Sequence, residues 1–385
     1  MRPLFTHQDL FAVSLSLPLR RAHRLLAAGL LAVPAAWAQA PANPPPVQAA
    51  DWRQANDAVG AYPRGHADVL RWELAQRPVA EPVADAVTSA LALPTADAAV
   101  RQAWRAHPDL VRPLARLGEP TVARLAQGLW AGVDLGLQRR IEGVDAVLAV
   151  AVQARKAWTE AVAAQQRVRQ QRQAVEATAA ALELGQRMVT VGNWSALQAA
   201  PVQLAATGAG MDLRRAQYAA AQAQAALLQA LGLAGVHDAV ALPEGLPAVP
   251  AQALDDNELA ARTQALLLQM TDAERPRQRA LARLAAQAYR TAHALVQDSQ
   301  EGLLRTRALI TEETLLRHNG MLKSVWNLLD EVRNQSQAQA EAVGVQRDFW
   351  IAEADLQWVL QGGTPERLVN LGGAAPAEAA GAAAH

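Results

Sequence analysis

The chain carries one long pattern twice. Residues 143–235 and 276–363 each read as a helical hairpin broken at a single glycine turn. Trp158 and Tyr289 open the two copies, Gly192 and Gly320 mark the turns, and the helices run out near Leu231-Gly232 and Leu360-Gln361-Gly362-Gly363. The spacing of about 130 residues is far longer than a solenoid unit. At ~1.5 Å per residue, arms of about forty residues reach ~60 Å. Such arms cannot fold back into a globule and must lie side by side. The expected fold class is therefore all-α, two tandem long antiparallel helical hairpins of coiled-coil type, with little or no β-structure.

Periodicity is clearest in the second copy. Leu281, Leu284, Ala288, Ala292, Leu295, Ser299 and Leu303 are spaced by threes and fours, and the returning arm repeats the spacing with Val325, Leu329, Val332, Ser336, Ala340 and Val343. Arg, Gln and Glu fill the positions between, so each helix is expected to have one dry face and a broad wet one. Alanine runs in the first copy, Ala179–Ala181 and Ala219–Ala221, allow close approach between helices.

Outside the hairpins, residues 1–40 read as a secretory signal. Arg20, Arg21 and Arg24 precede an apolar run from Leu25 to Trp37 that closes in Ala38-Gln39-Ala40. Residues 41–50, with Pro44-Pro45-Pro46, form an extended linker, and residues 51–142 a region of short helices. In that region Thr95 is placed to cap a helix running to His107, ahead of Pro108. Residues 236–275 link the copies, and residues 364–385 form an Ala/Gly/Pro-rich tail expected to be disordered. The chain has no cysteine, so packing alone must hold it together. Removing the signal takes the formal charge from +0 to about −3, which excludes a nucleic-acid-binding surface.

The tips are the candidate functional site. Gly192, Asn193, Trp194 and Ser195 on one, and Asn319, Gly320, Met321 and Leu322 on the other, interrupt otherwise continuous helices. Glycine permits the reversal. Trp194, Met321 and Leu322 are read as apolar residues displayed where a partner's helical hairpin can dock, with Lys323 offering a charge to an acidic partner group. His66, His107, His237, His293 and His318 are scattered without ligand spacing, so no metal site and no cofactor are expected. No phosphate loop, nucleophilic triad or zinc-protease motif occurs, so the chain is not read as an enzyme.

On particular runs the chain resembles the TolC-like outer-membrane efflux proteins. Leu93 to Leu110 is similar to the opening helix of that family's first repeat, and Leu182 to Ser195 to its periplasmic tip. Leu315 to Leu329 and Arg347 to Gln357 resemble the second tip and return helix of a branch found in metal-resistance settings; Asp51-Trp52 and Pro63 to Asp68 resemble that branch's N-terminal segment. The resemblance implies a homotrimer, with two long helices and two membrane strands per repeat. It further implies a periplasmic adaptor docked at the tips and an inner-membrane pump as partners. It places the exported chain in the outer membrane or periplasm of a Gram-negative bacterium, as the outer-membrane component of a tripartite efflux system exporting small solutes or metal ions.

Two departures qualify it. The family carries an aspartate just after each tip turn, at the tunnel entrance; here Gln198 and Asn327 hold the nearest positions, and Asp330 is the acid that can replace them in a ring. A membrane-spanning strand needs ~9–11 alternating residues, yet only Val133 to Gln138 alternates in repeat one and nothing from Gln269 to Pro276 does in repeat two. The barrel is expected to be reduced or missing. A barrel-less periplasmic coiled coil that binds an adaptor without conducting is the alternative function.

Overall fold

A computed structural model describes residues 91–133 and 140–371, all within one compact unit, 86–385. The expected signal, the linker and residues 51–90 of the expected short-helix region lie outside the described residues, as do 372–385 of the expected tail and most of the alternating Val133 to Gln138 run. The described part is 76% helical with almost no strand, as the repeat demands. Its strands are β1 (Leu91–Ala92) and β2 (Val240–Ala241), a two-stranded parallel clip that ties the entry of repeat one to the linker leaving it.

Each repeat is built in the same order. An extended entry leads to a capped short helix, α1 (Ala96–Arg105) in repeat one and α6 (Asp256–Leu268) in repeat two. Thr95 and Asp255 are the caps, accepting from the backbone N–H groups of Ala98 and Asn257. Each entry is pinned by the aromatic residue of the following long helix. The Trp158 indole donates to the Leu93 carbonyl at 3.0 Å, and the Tyr289 hydroxyl accepts from the Leu254 N–H at 3.2 Å. Repeat one then adds α2 (Val111–Leu117) and α3 (Glu119–Gln127) before its hairpin, α4 (Val144–Thr190) and α5 (Ala196–Ala230). In repeat two, residues 269–274 alone join α6 to its hairpin and contain no strand. That hairpin rises through α7 (Arg275–Gln297), a π-helical segment (Asp298–Leu304) and α8 (Arg305–Asn319), then returns through α9 (Val325–Leu360).

The long helices form a row in the order α5, α4, α9, α7/α8, each packing on its neighbours. The middle pair, α4 and α9, comes from different repeats. Their seam is polar where they meet near the entries. Lys156 donates to Asp355 at 2.7 Å, Arg155 lies 3.7 Å from Glu353, and Arg347 reaches Glu160 at 3.7 Å and Asp348 at 2.6 Å. Arg262 of α6 donates to Gln357 at 2.6 Å. Apolar clusters flank this seam. One gathers α1, α3, α4 and the end of α5 around Trp104, Trp130 and Trp158; the other gathers α6, α7 and α9 around Tyr289 and Phe349.

The inward face of α7 differs from the one expected. Ala282, Ala285, Tyr289, Ala292 and Val296 are buried, whereas Leu284 is 55% exposed and Leu295 37% exposed. The contact face is turned away from part of the leucine stripe because α7 approaches α9 through alanines and inserts Tyr289 beside Phe349, with ring centroids 5.5 Å apart. His293 joins this core. Its ring sits edge-on to Phe349 and bonds the Pro250 carbonyl at 2.8 Å.

Burial pushes the Glu353, Asp355, Glu160 and Asp348 carboxyls above their ordinary values, opposed by Arg155 at Glu353, Lys156 at Asp355 and Arg347 at Glu160 and Asp348. A carboxyl raised in the folded state destabilises above its folded pKa, and the penalty fades as pH falls through it. The melting temperature of Glu353→Gln relative to wild type is therefore expected to be more favourable near pH 7 than near pH 5, whatever the loss of the Arg155 pair costs at both; melts at both pH values check this, and an equal or reversed difference contradicts it. Asp355 is 1% exposed, so Lys156→Met strands its charge. The expected loss is on the order of 3 kcal/mol in chemical denaturation, largely recovered in Lys156→Met/Asp355→Leu.

Candidate functional site

The two tips follow one design. After each turn a serine caps the return helix, and the third residue of that helix reaches back. Ser195 accepts from the Gln198 N–H while Gln198 Oε1 accepts from the Ser195 N–H at 2.8 Å; Ser324 and Asn327 repeat the arrangement, with Asn327 Oδ1 3.2 Å from the Ser324 N–H. These reciprocal boxes satisfy backbone donors that a helix start otherwise leaves open. Gln198 and Asn327 thus each have a local capping role. Asp330 remains the acid near the tip, paired with Arg333 at 3.7 Å on the same helix.

The left-handed residue of each turn occupies matching positions, but only the first is glycine. Gly192 has φ of 80°, whereas Gly320 is at −80° and the left-handed conformation falls on Met321, with φ of 58°. Gly320 was the expected turn residue; the reversal is made one position later. A side chain in this region costs about 1 kcal/mol or more, and the cost is borne by a residue 94% exposed. Leu322 beside it is 79% exposed and Val191 on the other tip 67%. These three display apolar surface at the ends of the hairpins.

Trp194 and Lys323 do not stand out as expected. The Trp194 ring stacks on Trp326 of α9, centroids 4.5 Å apart. Both indoles lie against Gly185 of α4, where a Cβ would come within 3.5 Å of Trp194 and 3.7 Å of Trp326. This clasp ties the first tip to the return helix of the second hairpin. Lys323 folds back to Thr314 at 3.3 Å, and the His318 ring meets the Lys323 carbonyl at 3.2 Å, so Asn319 to Lys323 form a self-braced turn. Below the clasp lies a cavity of about 290 Å³ walled by Trp194, Trp326, Pro201 and Leu329. Sequence reading missed Trp326 and Gly185.

Near the tips the edges of the row are also apolar. On α5, Leu197, Leu204, Met211 and Tyr218 recur every seventh residue and are 83%, 73%, 43% and 67% exposed. On α8, Leu309 and Leu316 share that spacing and are likewise exposed, with Ile310 and Leu315 beside them.

No family model matches the chain, and no curated protein matches it in sequence. Among solved structures it is similar to the CmeC outer membrane channel of Campylobacter jejuni, at 9% identity and a TM-score of 0.45, over 63% of this chain and 67% of that one. It is similar to the outer-membrane channel OprN at 14% identity and a TM-score of 0.42, over 63% and 71%. CusC, solved in a study of folding and transmembrane channel formation, is similar at 11% identity and a TM-score of 0.44, over 71% and 99%.

Met321→Gly is expected to stabilise the fold by about 1 kcal/mol, because glycine adopts the left-handed turn without strain; chemical denaturation reads the change. Trp326→Ala is expected to cost about 1 kcal/mol of aromatic pairing and to increase the accessibility of Trp194 to a fluorescence quencher. Unchanged quenching would show that the stack does not hold the tips in solution.

Proposed function

We propose that the chain is one protomer of a helical tunnel in the cell envelope, the outer-membrane-factor-like component of an efflux system, with its tips serving as the adaptor-docking end. The observation that carries this reading is the pair of open edges on the helix row. An exposed heptad stripe on a long helix is a seam without its partner. The stripe on α5 and the patch on α8 lie on different edges, and their leucines match in height. Leu197 and Leu316 sit within a turn of their tips, and Leu204 and Leu309 roughly 12–15 Å from them at ~1.5 Å per residue. Contacts between unlike edges are heterologous, and such contacts close into rings when the rotation permits. The resemblance supplies three as the number of copies. The low-charge tips, with Val191, Met321 and Leu322 outward, suit the apolar face of an adaptor's helical hairpin. Outer-membrane channels are the kind of protein this reading implies, but the edges of the row carry it.

One observation favours the second reading, a coiled-coil protein of the periplasm that binds an adaptor without conducting. Residues 269–274, which pass directly from α6 to α7, have no strand, where the resemblance implies a membrane hairpin. Fractionation of cells expressing the full chain separates the two. A crosslinked trimer released only by detergent supports the channel, whereas recovery in the osmotic-shock fluid contradicts it and leaves the periplasmic protein. For either assembly, Leu204→Glu places a charge in the seam and is expected to reduce the native mass to that of a single chain with helix content unchanged. An undiminished oligomer would exclude the α5 edge.

A further inference from the structure

The charged residues of α5 all fall at one level. In a helix of 35 residues they are Asp212, Arg214 and Arg215. The two arginines are exposed and follow Met211 of the outward stripe by three and four positions. At 3.6 residues per turn they flank that stripe on either side, the places from which charged side chains choose the neighbour of an apolar seam. Arg215 is paired with Asp212 along its own helix at 2.8 Å. Arg214 makes no side-chain hydrogen bond or ion pair among the described residues.

The opposite edge of the row carries the complementary charge at the same height. Glu301, in the π-helical segment, is exposed and stands two positions beyond buried Ser299, as Leu316 stands two beyond buried Thr314. Both therefore share the face turned away from α9. Asp298, three residues before Glu301, is exposed too, and neither carboxylate has an ion pair among the described residues. The stack of Trp194 on Trp326 holds the two tips level. At ~1.5 Å per residue, Arg214 and Arg215 lie roughly 27–29 Å from the start of α5, and Glu301 and Asp298 roughly 27–32 Å from the end of α8. We propose that Arg214 pairs with Glu301 of a neighbouring copy of this chain, with Arg215 and Asp298 beside them, so that an ionic contact fixes the register and the sense of the assembly. The pairing rests on the edge-to-edge reading and adds what the leucines leave open. Like edges at one height set arginine against arginine or carboxylate against carboxylate, whereas unlike edges join opposite charges.

Sedimentation equilibrium of the full chain tests it. Arg214→Glu/Arg215→Glu replaces attraction by repulsion and is expected to weaken association about tenfold at low salt, with helix content unchanged. The difference is expected to shrink at high salt, where exposed charges are screened. Adding Asp298→Arg/Glu301→Arg to the same chain exchanges the two signs and is expected to restore association. Association that is indifferent to the arginine reversal, or that the exchange fails to recover, overturns the pairing and leaves the apolar seam standing. A wild-type chain that stays monomeric at every concentration overturns the edge-to-edge reading, and the pairing with it.

Discussion

The seam between α4 and α9 joins one repeat to the other, and the rest of the arrangement follows from it. Each hairpin alone is a pair of helices with low overall hydropathy and many alanines, which gains its stability from packing more than from propensity. Setting α4 against α9 turns two pairs into a row of four. The seam is held by ion pairs near the entries, among them Lys156 with Asp355 and Arg155 with Glu353, and by the tryptophan clasp over Gly185 near the tips. Buried ion pairs contribute little net stability compared with apolar packing, but breaking one is costly. They therefore fix which helix lies beside which, and in what register, more than they add to stability.

A row of helices has two ends. With α4 and α9 occupied by each other, α5 and α7/α8 each keep a face with nothing against it, and those faces carry Leu197, Leu204, Leu309 and Leu316. The placement of leucine outward and alanine inward follows from this geometry. Close helix approach inside one chain takes small residues, while the larger side chains are left on the open faces. The same logic explains the tips, where local capping boxes stiffen the turns and Met321, Leu322 and Val191 remain outside them.

Much of the architecture was legible in the sequence because the two hairpins are long runs between recognisable turns, and Thr95 announces its helix by capping chemistry. The rotation of α7 was not legible. Leucine spacing marks an apolar face, but it does not say whether that face meets a helix of the same chain or another copy. The tips were partly legible. Their location followed from Gly192 and Gly320, yet the left-handed turn fell on Met321, and Trp194 turned inward to Trp326, a partner in the other repeat that no local pattern indicates. Asn327 and Gln198 were noticed for their positions after the turns, and the work they do there is capping.

The central claim is that unlike edges of neighbouring copies meet. The chain has no cysteine, so a single pair can be introduced without background, Leu204→Cys on α5 with Leu309→Cys on α8. Oxidation of the assembled protein is predicted to give a covalent ladder that stops at one closed species, with neither single variant crosslinking to itself. Crosslinks formed by Leu204→Cys alone, or a chain that stays monomeric under oxidation, would contradict the account.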